Sequence, residues 1–208
     1  MFTEMTLAEF ADRTAAKEPT PGGGSVAAYM GSVGAALGVM AARFTEGRKG
    51  FEAHEEALAR EIDELETLRG RMLELVEADA AAYSTVTGAY KLPKSTPEEK
   101  EARKAQIQVA LATALQPPLQ SCQAAVEGLE ILEGLRTHAN PNLISDVAVS
   151  AYALAATYRS AWINVLINVS GLKDAEAKAD ILAAGAALGA RCAELEASIG
   201  ESIVESLS

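Results

Sequence analysis

The sequence predicts an all-α protein in which about six helices, several of them long, form a single-domain bundle over residues 1–208. Composition is one reason, because apolar types make up 49% of the chain and aromatic residues only 5%. Alanine, leucine, glutamate and lysine favour helices, whereas sheets are enriched in aromatic and β-branched residues. Periodicity is the other reason, since apolar residues recur every three or four positions between short segments rich in proline and glycine.

The first helix is predicted to begin at a capping box. Thr6 and Glu9 have the residue types and the spacing of such a box, and the helix should end near Lys17. The next residues, 18–25, read EPTPGGGS. Prolines restrict the backbone before them and glycines release it, so we expect an irregular loop whose glycines use positive φ angles.

The second helix is predicted to be central and buried. Residues 26–42 carry no charge, but they are rich in alanine and glycine, which favours a buried helix over a membrane span. Gly34, Gly38 and Ala42 recur every four residues and leave a ridge that another helix can approach closely.

A long third helix precedes the loop at residues 91–95. Asp79 falls on the inward face of this helix, where an unpaired carboxylate is costly. The inward stripe consists of Leu58, Ile62, Leu65, Leu68, Met72, Leu75, Asp79, Tyr83 and Val86.

The fourth helix is predicted to be kinked. It begins at Thr96, an N-cap residue followed by Pro97 and by the box glutamate Glu99. Pro117-Pro118 should break or kink it, because a proline lacks the amide donor and clashes with the preceding turn. The segment should continue to about Gly134.

The fifth helix should run from the turn at residues 140–146 to about Val169, and it has an unexpectedly polar face that predicts a lined cavity. This face consists of Asp146, Ser150, Ala153, Thr157, Ser160, Asn164 and Asn168. A last helix should run from Asp174 to about Glu205. Its predicted core seam consists of Leu182, Leu188, Cys192, Leu195 and Ile199.

Charge and cysteine usage exclude several classes of function. The net charge of -11 argues against nucleic acid as a partner, because no basic patch offsets it. Cys122 and Cys192 have no neighbouring ligand at metal spacing, so we expect reduced thiols and no metal site. His54 and His138 lie far apart in the sequence and should be ordinary surface histidines. No secretory signal is apparent, and we expect a cytoplasmic protein that does not bind membranes.

Four segments carry a resemblance to a known family. Residues 20–25 (TPGGGS) open a helix of small residues, and residues 88–94 (GAYKLPK) precede EEK at 98–100. Residues 142–146 (NLISD) and 164–168 (NVLIN) follow in order. In this order and spacing the segments span nearly the whole chain, which resembles the formiminotransferase-cyclodeaminase C-terminal family.

The resemblance implies a helical homodimer that acts on a one-carbon tetrahydrofolate derivative without a metal, nucleotide or other cofactor. Residues 88–103 resemble the free-standing methenyltetrahydrofolate cyclohydrolases most, and no formiminotransferase domain precedes the helical domain in this sequence. We therefore expect hydrolysis of 5,10-methenyltetrahydrofolate to 10-formyltetrahydrofolate, or the reverse closure. Formimidoyltetrahydrofolate cyclodeaminase, which releases ammonia, is the close alternative. A non-catalytic helical dimer that acts as an interaction module is an alternative of another class.

The candidate catalytic residues are Asp79, Asp146 and Lys94. Hydration of the methenyl carbon needs a carboxylate that stabilises a cation or accepts a proton, and a donor that assists nitrogen departure. Asp79 and Asp146 fit the first role, and their faces are expected to meet in one cavity. A buried ion pair is the alternative for Asp79, and an N-terminal helix cap for Asp146. Lys94 fits the second role, with a solvated loop lysine as the alternative.

The candidate substrate-binding residues lie in the same segments. The glycine loop ahead of the second helix presents free backbone donors, although a packing turn needs no ligand. Arg103 is a candidate for binding the glutamate tail of folate, because a guanidinium matches a carboxylate bidentately, with an exposed arginine on a charged helix as the alternative. The full set consists of Gly22, Gly23, Gly24, Ser25, Tyr83, Arg103, Asn142, Asn164 and Asn168.

Overall fold

The computed structural model describes residues 1–207, with side chains as far as Glu205. Over this range the chain forms seven α-helices and no strand, which confirms the all-α prediction. The α-helices are α1 (Leu7–Ala15), α2 (Gly23–Arg43), α3 (Glu55–Lys91), α4 (Pro97–Ala114), α5 (Gln116–Leu135), α6 (Ile144–Ser170) and α7 (Ala175–Leu207). Short 3-10 turns precede α1, α3 and α6 at Phe2–Glu4, Glu52–His54 and Pro141–Leu143.

Both predicted capping boxes are present. The Glu9 amide donates to Oγ1 of Thr6 at 3.2 Å, and the Thr6 amide donates to the Glu9 carboxylate at 2.7 Å. Thr96 and Glu99 exchange the same two hydrogen bonds, at 3.2 and 3.1 Å. The first helix ends at Ala15, slightly before the predicted end, and the fourth begins at the proline after Thr96 as predicted.

Helix α2 lies at the centre of the bundle, packed against α3, α5 and α6. By length and composition it could cross a membrane, but 61% of its most apolar window is buried inside the protein, as expected for a core helix. A Cβ added at Gly34 would lie 3.1 Å from Cβ of Ala153, and one at Gly38 would lie 3.0 Å from Leu132. These glycines therefore permit the close approach that their spacing predicts.

The polar face of α6 packs against α2 over most of its length, and only its C-terminal part, at Asn164 and Asn168, lines the predicted cavity. The Ser150 hydroxyl donates to the carbonyl of Gly34 at 2.7 Å, and the Thr157 hydroxyl donates to the carbonyl of Ala153 at 2.9 Å. Short hydroxyl side chains can satisfy themselves on nearby backbone carbonyls, so they need no cavity.

The predicted break at the proline pair is present, because α4 ends at Ala114 and α5 begins at Gln116. Only Leu115, itself in an α-helical conformation, separates the two helices. Counted as one interrupted helix, α4 and α5 give the six helices predicted. The break is therefore local, and both halves remain part of the bundle.

Aromatic side chains of α6 pack against the glycines of α7. A Cβ added at Gly185 would lie 2.0 Å from the Trp162 ring, and the Tyr158 hydroxyl donates to the carbonyl of Gly185 at 2.6 Å. Most of the predicted α7 seam is buried, but Leu182 is 39% exposed, so its assignment to the core is wrong. The preceding residue, Ile181, packs against the core instead, so Leu182 lies on the outward side of α7.

His54 is exposed as predicted, but the prediction of a surface residue is wrong for His138, which packs beside it. Their rings stack at 4.9 Å, and Nε2 of His138 lies 2.9 Å from Oε2 of Glu61. The side chains of His138 and Glu61 are only 9% and 6% exposed. Burial raises the pKa of Glu61, although the hydrogen bond from His138 opposes that shift. His138 lies in the connection between α5 and α6, which packs against the start of α3. This contact joins residues far apart in the sequence, so no local pattern predicts it.

Both cysteines are unpaired and buried, on α5 and α7. Burial raises the pKa of Cys122 to about 12 and that of Cys192 to about 11. Both sulfurs are therefore protonated thiols at neutral pH, in agreement with the prediction of reduced thiols.

We expect Gly185→Ala to destabilise the fold by about 1–3 kcal/mol, because the new methyl group would overlap the Trp162 ring and force α6 and α7 apart. Gly70→Ala is the matched control, since no atom lies within 4 Å of a Cβ built at this position of α3. Because alanine has a higher helix propensity than glycine, this control substitution should stabilise the protein by about 0.5–1 kcal/mol. Urea unfolding of the two variants measures both effects, and equal stability would contradict the packing described.

Candidate active site

A cavity of about 400 Å³ lies where the N-terminus of α2 meets α3, α4 and the C-terminal end of α6. It brings together seven of the predicted site residues, contributed by three helices and the glycine loop. The seven are Gly22, Gly23, Gly24, Asp79, Tyr83, Asn164 and Asn168.

Asp79 is the carboxylate of this cavity. Its Oδ2 accepts a hydrogen bond from the Ser25 hydroxyl at 2.9 Å, and the carboxylate also accepts from the Ser25 backbone amide. The Ser25 hydroxyl lies 3.0 Å from the carbonyl of Val76 as well. Ser25 is fully buried and does not line the cavity, but it holds the Asp79 carboxylate that does.

The prediction of an irregular loop over residues 18–25 is wrong for its last three residues, because α2 already begins at Gly23. The glycines here serve close approach rather than unusual backbone angles. A Cβ on Gly24 would lie 2.0 Å from Oδ1 of Asp79, so no larger residue fits there without displacing the carboxylate. Within residues 1–207, positive φ occurs only at Gly47 and Gly50, so the expectation of positive φ in this loop is wrong. The Thr20–Pro21 peptide bond is cis.

Asp79 performs the capping role that the N-cap residue of α2 cannot. Gly22 occupies the N-cap position and has no side chain to accept a hydrogen bond. Ser25 is the third residue of the helix, and its amide is a donor that an N-cap side chain normally satisfies. Here the acceptor comes from α3 instead. The positive end of the α2 dipole also favours a negative charge at this point.

Burial dominates the ionisation of Asp79. It raises the pKa of the carboxyl above the usual range of aspartate, and the hydrogen bonds from Ser25 oppose the shift only in part. A carboxylate with a raised pKa inside a cleft is a candidate for proton transfer.

Two side-chain amides of α6 form another wall of the cavity. Nδ2 of Asn164 donates to the carbonyl of Ser160 at 2.9 Å, and Nδ2 of Asn168 donates to the carbonyl of Ala114 at 3.1 Å. Asn164 also lies 3.5 Å from the position of a Cβ on Gly23, which places it directly beside the glycine loop.

Two exposed tyrosines extend the cavity along α3. Tyr83 follows Asp79 by one turn, and Tyr90 lies two turns beyond Tyr83, so both line the same side. Arg103 does not line the cavity but donates from Nε and Nη2 to the Tyr90 carbonyl at 3.2 and 2.9 Å. Its guanidinium lies 5.6 Å from the centre of the Tyr90 ring. Arg103 therefore ties α4 to the end of α3 at one end of the cavity.

Three predicted site residues lie outside the cavity and away from it in the structure. Asp146 is in the first turn of α6, eighteen residues before Asn164, which corresponds to about 27 Å along the helix. The expectation that the two aspartates share a cavity is therefore wrong within one chain. Asn142 lies in the 3-10 turn before α6, and Lys94 lies in the exposed loop after α3. Helical spacing places residues on a face but does not say which end of a long helix meets the site.

Several cavity residues were not predicted. Tyr90, in the GAYKLPK segment, and Thr20, in the loop before α2, both line the cavity but are not among the predicted site residues. Leu111 and Ala114 come from α4, whose approach to α6 has no local signal in the sequence. Ile167 lies between Asn164 and Asn168 in the NVLIN segment, so that motif is the sequence signal that could have identified part of this wall.

A wider cavity of about 670 Å³ lies between α3 and α5, but it contains none of the predicted site residues. More acidic than basic side chains line it, so it would repel an anionic ligand. In the part of the chain that the structure describes, no group of three or more His, Cys, Asp or Glu side chains could hold a metal ion.

Comparison with known proteins agrees on one family. A family model described as formiminotransferase-cyclodeaminase matches residues 6–190. A methenyltetrahydrofolate cyclohydrolase from Methylorubrum extorquens is 41% identical over 169 residues, which are 81% of each chain. A formimidoyltransferase-cyclodeaminase from Rattus norvegicus is 35% identical over 171 residues, but the match spans only 32% of that longer protein.

A solved structure also resembles this chain over its whole length. It is a formiminotetrahydrofolate cyclodeaminase from Thermotoga maritima, with a TM-score of 0.89 and 28% sequence identity. The alignment covers 100% of this chain and 99% of the other.

We expect Gly24→Ala to abolish most ligand binding in the cavity, because the new methyl group would push the Asp79 carboxylate away from the N-terminus of α2. Gly70→Ala is again the matched control, since Gly70 does not line the cavity and no atom lies within 4 Å of a Cβ built there. Titration of both variants with a reduced folate measures the difference. Equal affinities would show that the fit between Gly24 and Asp79 has no part in binding.

Proposed function

Because the chain belongs to the formiminotransferase-cyclodeaminase family, we propose that it is a methenyltetrahydrofolate cyclohydrolase that converts 5,10-methenyltetrahydrofolate to 10-formyltetrahydrofolate. The 41% identity to a cyclohydrolase over most of both chains supports this choice within the family. The observation that carries the proposal is the half-buried Asp79 carboxylate with a raised pKa, held at the glycine-rich N-terminus of α2 inside a cavity.

The proposed chemistry starts from a cation. The methenyl carbon lies between N5 and N10 of the folate and shares a positive charge with them, so a carboxylate nearby stabilises the bound substrate. Asp79 supplies that charge, and its ionised form accepts a proton as water adds to the carbon. The adduct has a hydroxyl group on a carbon bonded to both nitrogens.

The second step breaks the bond from this carbon to N5. Asp79 returns its proton to N5, the hydroxyl proton leaves to solvent, and the oxygen becomes the carbonyl of a formyl group on N10. One water is consumed and one proton is released in total. The first amides of α2, at Gly23 and Gly24, have no intrahelical acceptor and can stabilise the negative charge that develops on the oxygen.

Formimidoyltetrahydrofolate cyclodeaminase remains the second candidate. The likeness over the full length to a solved cyclodeaminase favours it. The same cavity could serve both reactions, because both proceed through a tetrahedral carbon next to N5 and differ in whether water attacks or an amine leaves. Asp79 could donate its proton to that amine.

We also propose that the protein is a cytoplasmic homodimer. The outward faces of α2 and α6 expose Val33, Val149, Tyr152, Ile163 and Ile167. Apolar side chains on two adjacent helices are most simply covered by a second copy of the chain. Unpaired, buried cysteines are in keeping with a reducing compartment. A monomer at micromolar concentration in light scattering would contradict the dimer.

An absorbance assay tests the proposed activity. We expect the purified protein to remove the chromophore of methenyltetrahydrofolate faster than buffer does, with full activity in EDTA. Formimidoyltetrahydrofolate is the parallel substrate, and formation of the methenyl chromophore from it would instead support the cyclodeaminase. No change with either substrate would contradict both activities.

Asp79→Asn should lower turnover by roughly a hundredfold or more, as expected for a lost acid-base group. The wild-type rate should rise with pH through the raised pKa of Asp79, above the value of about 3.9 for an ordinary aspartate. This acidic limb should be missing from the residual rate of the variant. A wild-type rate in the asparagine protein would contradict the assignment.

Stability should depend on pH in the opposite sense. The folded state binds the Asp79 proton more tightly than the unfolded state, so this carboxyl stabilises the fold most at low pH. That contribution is lost as pH rises through the raised pKa. At neutral pH, Asp79→Asn should therefore melt at the same temperature as the wild type or higher. A clear decrease would indicate that the cap on α2 outweighs the cost of burial.

Asp146→Asn tests the second candidate carboxylate in the same assays. Its place in the first turn of α6 predicts a favourable interaction with the helix dipole, worth about 0.3–1 kcal/mol. We expect a slightly lower melting temperature and an unchanged rate. A large loss of turnover would mean that Asp146 reaches a site through another copy of the chain.

A further inference from the structure

We infer that Asn164 and Asn168 form a pair of hydrogen-bond acceptors that recognises the donor edge of the folate pyrimidine ring, and that Pro118 fixes the orientation of Asn168. This inference rests on the proposed function and assigns specificity to residues outside the chemical step. Both side chains line the cavity that contains Asp79.

The orientation of each amide follows from its partner. A backbone carbonyl only accepts, so the side-chain atom facing it must be the NH₂ group. Asn164 donates in this way to Ser160, and Asn168 donates to Ala114. The atom left to a ligand is therefore Oδ1 in both residues. Among residues 1–207 no group donates to either oxygen, and neither oxygen is buried.

The partner of Asn168 exists because of the proline pair. In a continuous helix the carbonyl of Ala114 would accept from the amide of residue 118, but Pro118 has no amide hydrogen. An unpaired carbonyl at this point would be costly, and the Asn168 side chain satisfies it at 3.1 Å. The helix break thus turns a backbone group of α4 into an anchor for a side chain of α6.

The chemistry of the ligand edge follows from this arrangement. Asn164 and Asn168 are about one helical turn apart on the same wall of the cavity, which places their Cβ atoms about 5–6 Å from each other. Acceptors at this spacing suit a planar group with N–H donors along one edge. The pyrimidine ring of a reduced folate has such an edge in N3–H and the 2-amino group. With Asp79 at the one-carbon bridge, the cavity distinguishes the two ends of the bicyclic ring system.

Asn168→Leu should raise KM for methenyltetrahydrofolate by about tenfold, with kcat within about threefold of wild type, because a ground-state contact is lost. It should also lower the melting temperature, since the Ala114 carbonyl loses its donor. The double variant Asn168→Leu with Pro118→Ala separates these effects. The new amide at residue 118 restores a donor to Ala114, so stability should recover while KM stays high.

Two further variants complete the test. Asn164→Leu should raise KM with little thermal effect, because the carbonyl of Ser160 keeps its helical donor. Gln108→Leu is the matched control, since Gln108 bonds the carbonyl of Gly171 and the amide of Lys173 without lining the cavity. It should lower the melting temperature and leave KM unchanged.

A substrate with methyl in place of the 2-amino group gives an independent readout. Wild type should bind it about tenfold more weakly, and a variant that has lost the partner oxygen should discriminate little. An unchanged KM in both leucine variants would overturn the inference, as would a double variant whose KM returns to wild type. Absence of turnover by the wild-type protein would instead overturn the proposed function.

Discussion

The carboxylate of Asp79 and the N-terminus of α2 hold each other in place, and the cavity is arranged around that contact. A helix that begins with glycines brings its first turn close to another chain segment, but it lacks a side chain to cap its amides. Asp79 supplies the missing acceptor from α3, because its carboxylate accepts from the backbone amide of Ser25 as well as from the Ser25 hydroxyl. The same closeness buries the carboxylate and raises its pKa. The cap of α2 and the raised pKa of the carboxylate therefore both result from the close packing of Asp79 against the N-terminus of α2.

Small residues extend this principle to the rest of the bundle. Gly34 and Gly38 let α6 and α5 approach α2, and Gly185 accepts an aromatic ring of α6 on α7. A protein with few aromatic residues builds its core from close backbone approach, and Ala28, Ala35 and similar residues fill it. Such a core tolerates little added volume, because the neighbours at these points are side chains already in contact.

The fold was largely predictable because its signals are local. Caps at Thr6 and Thr96, the stripe of α3 and the proline break depend on residues within a few turns of one another. The cavity residues were predictable where a motif marked the end of a helix, as at the glycine loop and Asn164, and where the stripe of α3 continued to Asp79. Asp146 shows the limit, since periodicity gives the correct face of α6 but not the end of that helix that meets the site. The contact of Glu61 with His138 shows the same limit, because it joins segments far apart in sequence.

The composition of the polar face of α6 explains why the cavity lies at one end of it. A hydroxyl side chain has one donor, and once Ser150 donates to a backbone carbonyl it packs against α2 with no further requirement. An asparagine side chain has both a donor group and an acceptor. When Nδ2 of Asn164 or Asn168 binds a carbonyl, Oδ1 still needs a donor, and burying it against α2 would be costly. The change from hydroxyls to amides along α6 therefore coincides with the change from sealed helix packing to an open site that a ligand with N–H groups can complete.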